Sequence, residues 1–114
     1  MVGNGCLPPC DANEEEHLLP CFPNFVPGWK KYGDTPDIAA LIAPRALHLN
    51  LGEKDNGTPI ASARLGIQRI KDAYLKADVP DKFTFFIEPD TGHVLTDTMW
   101  KRVKACFERY LKAV

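Results

Sequence analysis

The chain has 114 residues, a formal net charge of −1, 45% hydrophobic and 25% charged residues. That is the composition of one small globular domain, which at this size buries somewhat under ~70% of the surface its unfolded chain exposes. A near-neutral charge gives no long-range pull toward nucleic acid or an anionic membrane, and no apolar run approaches the ~18 residues of a membrane span. Residues 1–10 carry neither a basic n-region nor an apolar h-region, so no secretory signal is read and the expected address is cytoplasmic.

Residues 1–31 are dense in Pro, Gly, Cys and acidic side chains and hold no sustained period of 2 or 3.6. They are expected to be irregular, with at most a helical turn near Glu14–Leu19. Cys6, Cys10, His17 and Cys21 supply enough soft ligands for zinc, but not at the usual knuckle spacing, and reduced thiols are the simpler expectation. Cys106 lies far away on a helical pattern and reads as a small apolar filler.

Residues 32–114 carry the periodic signal. A short helix is expected over Asp37–Ile42, stopped by Pro44 because the residue before a proline leaves the α region. Arg45 to Gly52 is a short, mostly apolar run closed by a glycine, which predicts a strand covered on both faces. A turn-rich loop, Glu53 to Pro59, follows. Ile67, Ile70, Ala73, Tyr74 and Ala77 then recur at helical spacing, predicting a helix over 60–77. Lys82 to Glu88 is aromatic and β-branched, a second strand. Trp100, Val103, Phe107, Tyr110, Leu111 and Val114 fall on one face of a closing helix expected from about Thr96. Trp29 and Trp100 are expected as core anchors and His48 as a packed histidine. Two strands joined by a helical crossover run parallel, so the fold class is α/β with a short parallel sheet of about two strands, a crossover helix and a C-terminal helix.

In an open α/β sheet the loops beyond the strand C-termini converge and hold the ligand. One such loop presents Asp55 and the other His93, a carboxylate and an imidazole in the order acid then base. Each alone is equally at home as a turn former or an exposed polar residue. The run Asp37-Ile38-Ala39-Ala40-Leu41-Ile42-Ala43-Pro44-Arg45 followed by Gly52-Glu53-Lys54-Asp55, with Cys21-Phe22-Pro23-Asn24-Phe25-Val26-Pro27-Gly28 upstream and Gly92-His93 downstream, resembles the acetyl-xylan-esterase and dienelactone-hydrolase-like branch of the α/β-hydrolases. The resemblance spans roughly residues 17–114. It implies the C-terminal portion of an α/β-hydrolase fold, with Asp55 as triad acid and His93 as general base in a hydrolase of small acyl esters, and with no cofactor.

The nucleophile elbow of that family, G-x-S-x-G between a strand and a helix, does not occur here. Ser62, the sole serine, sits at the start of the helix after the acid loop, where a hydroxyl more commonly caps backbone N–H groups than attacks. Cys6 follows Gly5, but no strand is expected before it. Asp55 and His93 are therefore the candidate catalytic residues and Ser62 the weakest of the three, set against a catalytically inert fragment and a metal-binding module built on the cysteines. The edges of so short a sheet offer unpaired backbone groups, so a homo-oligomer, most simply a dimer, is expected.

Overall fold

A computed structural model describes residues 2–4 and 27–111. Its strands are β1 (Val2–Asn4), β2 (Leu47–Gly52) and β3 (Phe83–Glu88). Its helices are α1 (Thr35–Ala40), α2 (Ile60–Lys76) and α3 (Asp97–Leu111), with short 3-10 turns at Trp29–Lys31 and Pro80–Lys82. The sheet order is β1-β2-β3, parallel throughout, with Leu47 opposite Phe83 and Gly52 opposite Glu88. The expected strand, helix, strand, helix order over 45–111 is observed. β1 is an addition: it pairs with β2 on the side away from β3, within the stretch expected to be irregular and ahead of Cys6. Cys6, Cys10, His17, Cys21 and the expected turn near Glu14–Leu19 lie outside the described residues.

β2 shows how the sequence builds the layers. All six of its residues are buried, yet they alternate in chemistry because successive side chains point to opposite faces. Leu47, Leu49 and Leu51 form one face with Phe83, and they pack on Ala63, Ile67, Ile70 and Tyr74 of α2. Burying each large apolar side chain contributes roughly 1.5–3 kcal/mol. His48 and Asn50 form the other face, which α3 covers: Asn50 Nδ2 donates to the Met99 carbonyl at 3.4 Å, and the Arg102 guanidinium lies 3.8 Å from the Phe86 ring centroid. The result is three layers, with α1 and α2 on one side of the sheet and α3 on the other.

Local chemistry sets the helix ends. α1 begins two residues earlier than the sequence suggested, because Asp34 is its N-cap. The Asp34 carboxylate accepts from the Thr35 N–H at 2.7 Å, and the Asp37 carboxylate accepts from the Asp34 N–H at 2.7 Å. Such a reciprocal box satisfies donors that a helix start leaves free. Just beyond the end of α2, Asp78 takes the left-handed conformation (φ 58°) usually left to glycine, and the Val79 N–H returns to the Tyr74 carbonyl at 3.1 Å. Tyr74, fully buried, donates its hydroxyl to the Arg45 carbonyl at 2.6 Å, pinning the turn ahead of β2 to α2. Burial raises the Tyr74 phenol above its ordinary value, against the pull of Arg45, so it remains the donor.

The expectation that Trp29 and Trp100 are core anchors fails. The buried face of α3 is Met99 and Val103, whereas Trp100, Phe107 and Leu111 are exposed. Three strands spaced about 4.8 Å apart make a sheet about 10 Å wide, no wider than a helix with its side chains, so only the stripe directly over it is covered. Trp100 is therefore not a core anchor, and Trp29 is only half-buried, its indole N–H making no hydrogen bond among the described residues. Among the described residues no helix is long and apolar enough to cross a membrane.

Candidate active site

Both loops that leave β2 and β3 at their C-terminal ends are laced together by backbone bonds. The Glu53 N–H donates to the Glu88 carbonyl at 3.0 Å, extending the strand pairing by one step. The Lys54 N–H then donates to the Thr91 carbonyl at 2.8 Å. Side chains close the outer rim: the Asp90 N–H donates to the Glu53 carboxylate at 3.1 Å, and the Lys54 ammonium lies 2.6 Å from the Asp90 carboxylate. Asp90 holds a left-handed conformation (φ 53°), which aspartate tolerates better than most residues and which turns the chain back over the end of β2.

That lacing brings Asp55 and His93 together. His93 Nδ1 is 2.8 Å from Asp55 Oδ2, and the second carboxylate oxygen accepts the Gly57 N–H at 2.8 Å. A carboxylate only accepts, so Nδ1 of the neutral ring carries the proton and the Nε2 lone pair is left free. Asp55 is buried, its side chain 3% exposed, while the His93 side chain is 63% exposed. Nε2 makes no hydrogen bond among the described residues. The arrangement is a fixed, desolvated acid behind an accessible imidazole, which is what a base needs to take a proton from an incoming group.

Beyond His93 the chain enters α3 through Thr96. Its hydroxyl donates to the Glu88 carboxylate at the end of β3 and accepts the Met99 N–H at 3.1 Å, capping α3. The histidine loop is thus held at both ends, by the acid loop on one side and by a helix cap on the other.

Ser62 is not part of this pair. It is buried in the first turn of α2, among Ala63, Gly66 and Ile67 on the helix face turned to the core. No hydrogen bond joins it to His93 among the described residues. The helix start, capped at Pro59 without a side-chain bond, does not use it as the expected capping hydroxyl either. Gly57 as the backbone donor to Asp55 and the Glu53–Lys54–Asp90 rim were missed by sequence reasoning; only the turn-rich composition of the loop pointed to them.

His48 belongs to a separate network. Asn50 Oδ1 accepts from its Nε2 at 3.1 Å, and Thr84 Oγ1 donates to its Nδ1 at 2.7 Å, so both ring nitrogens are engaged as the packed-histidine reading expects. Burial holds its pKa below the ordinary 6.5, and the positive charge of Arg102 adds to this while the Asn50 bond opposes it. Beside it a cavity of about 210 Å³ is lined in part by Arg102, Cys106 and Arg109; Cys106 is half-buried there and carries no disulfide. Among the described residues no group of three or more His, Cys, Asp or Glu side chains is placed to hold a metal.

The layers and the parallel strand order define an α/β fold, with the Asp55 and His93 loops at the C-terminal ends of its strands. Among solved structures, the chain is similar to Methylesterase BT1017, with 20% identity and a TM-score of 0.61 over 68% of its residues. It spans 17% of that structure's length. The likeness is one of fold, and it is to an esterase. No family model matches the chain, and no curated protein matches it.

Proposed function

We propose that the chain is the acid–base portion of a carboxylic-ester hydrolase acting on small acyl esters, of the acetyl-xylan-esterase and dienelactone-hydrolase-like branch. The observation that carries this reading is the 2.8 Å bond from His93 to a buried Asp55, set at the C-terminal edge of a parallel sheet with Nε2 unengaged. Similarity of fold to a methylesterase supports the hydrolase class. In this reading Nε2 takes a proton from water as the oxygen attacks the ester carbonyl, and Asp55 stabilises the imidazolium that forms. Collapse of the tetrahedral intermediate breaks the acyl–oxygen bond, and the same Nε2 returns the proton to the leaving alkoxide. Water is the nucleophile in this scheme because Ser62 is buried on the inner face of α2.

A second reading, a folded but inert piece of a hydrolase domain, is favoured by one observation: no hydroxyl or thiol hydrogen-bonds to Nε2 among the described residues. Hydrolysis of p-nitrophenyl acetate at neutral pH by the wild type, His93→Ala and Ser62→Ala separates the two. Turnover that falls to the level of free imidazole in His93→Ala and persists in Ser62→Ala is the expected result. Rates no greater than free imidazole in all three proteins would establish the inert reading instead.

A further inference from the structure

The close approach of the two loops is made at a residue that offers no side chain to the pair, though its carbonyl accepts the Asp55 N–H at 3.3 Å. Gly52 is the last residue of β2 and shares the face of His48 and Asn50, the side on which the chain returns from β3 to α3. A Cβ placed on Gly52 would lie 2.3 Å from the Gly92 carbonyl oxygen and 2.4 Å from that of Thr91. Both are backbone atoms, so no side-chain rotation relieves the clash, and the 91–92 segment would have to move as a whole. It is the segment that leads into His93, and the Lys54 N–H bond to the Thr91 carbonyl ties it to the loop carrying Asp55. The backbone of Gly52 is not in a left-handed conformation, so the requirement is for space alone. Gly57 differs: a Cβ there would meet its nearest neighbour, Asp55 Oδ1, at an ordinary 3.4 Å.

We propose that Gly52 is a positioning residue for the acid–base pair: the missing side chain lets the Thr91 and Gly92 carbonyls seat against β2, and this seat sets the His93–Asp55 distance, with the Glu53–Asp90 bond holding the segment down from outside. The inference rests on the proposed working role of that pair, but it makes a structural claim that activity does not decide. Chains differing by one methyl group at position 52 therefore differ in whether the imidazole meets the carboxylate. The Thr91 carbonyl is bonded to the Lys54 N–H at 2.8 Å, so moving the segment away from β2 stretches that bond.

The test reads the hydrogen-bonded Nδ1 proton of His93 by ¹⁵N-edited NMR in the full chain, assigned by its loss in His93→Gln. The expected result is that Gly52→Ala keeps a folded circular dichroism spectrum and loses this downfield resonance, whereas Ile70→Val, a core truncation far from the loops, keeps it. Where the protein hydrolyses the ester, Gly52→Ala lowers kcat by about 10²-fold, the scale general-base catalysis supplies, with KM unchanged. A folded Gly52→Ala protein with an unaltered Nδ1 resonance overturns the proposal. Should Gly52→Ala fail to fold, Glu53→Ala decides: faster solvent exchange of the Nδ1 proton supports the positioning role, and an unchanged rate refutes it. An inactive wild type with a Gly52-dependent resonance would sink the hydrolase reading and leave the positioning inference standing.

Discussion

His48 gives the sharpest test of the packing, because its pKa direction converts into a pH-dependent stability. The imidazole is 4% exposed, bonded to Thr84 and Asn50, and faced from α3 by Arg102 and Arg109, with Cys106 and Tyr110 on the same cavity wall. Its folded pKa lies below the ordinary 6.5. The unfolded chain therefore binds a proton that the folded one refuses, and stability is complete above pH 6.5 and falls as the pH drops toward the folded value. If the buried ring stays neutral throughout, the loss between pH 7.5 and 5.5 reaches its ceiling of about 1.4 kcal/mol. With an m-value of about 2 kcal/mol/M, that ceiling is a fall of about 0.7 M in the urea midpoint. Urea unfolding of wild type and His48→Gln at both pH values isolates this contribution, since every other titrating group is common to the two. The variant is expected to be less stable at pH 7.5, because the network is disturbed, but to lose less on acidification. Parallel losses in the two proteins would refute the claim that His48 is buried as the neutral ring.

Other expectations follow from the same contacts. Tyr74→Phe removes the donor to the Arg45 carbonyl without changing the packed ring, and should cost about 0.5–1.5 kcal/mol by urea unfolding. Leu49→Ala, in the middle of β2 and 3% exposed, should cost about 2–5 kcal/mol, enough to unfold much of a domain this small near room temperature. Asp55→Asn keeps the size of the side chain but opposes the Nδ1–H tautomer of His93. Any ester hydrolysis dependent on His93 should drop at least about 10²-fold, and equal rates in wild type and variant would remove Asp55 from the mechanism. β3 is one of the two edge strands of the described sheet, and Trp100, Phe107 and Leu111 are exposed on α3, so the chain is expected to sediment as a dimer at micromolar concentration. A monomer at that concentration would contradict self-association through these surfaces.

Much of the fold was legible in residues 45–111 because each element there states its own period. The helical spacing through Ile67, Ile70 and Tyr74 identified α2, and the aromatic, β-branched run through Phe83 and Ile87 identified β3. Parallel pairing then followed from the crossover. β2 was legible as a buried strand for an incomplete reason. Leu47-His48-Leu49-Asn50-Leu51-Gly52 reads as nearly continuous and apolar, but its even positions are polar, and they are buried because Thr84 and the Met99 carbonyl satisfy them. No local pattern announces partners thirty-six and forty-nine residues away in the chain. The short strand β1 was invisible for a similar reason, since three residues carry no period and only pairing with β2 makes them a strand.

The candidate site divides along the same line. The loops that carry the acid and the histidine depend on local turn chemistry, which placed Asp55 and His93 beyond the strand ends, and the resemblance to the hydrolase branch singled them out from ordinary turn residues. Their meeting does not. It requires the strands to lie side by side in the observed register, Gly52 to yield its space to the Thr91 and Gly92 carbonyls, and Gly57 to hold the far oxygen of the carboxylate. The burial of Ser62 and the exposure of Trp100 were settled in the same way, by which side of a helix the narrow sheet covers. Local sequence determined which residues occupy the converging loops; long-range packing decided which of them touch, because contact depends on surfaces that residues distant in the chain create together.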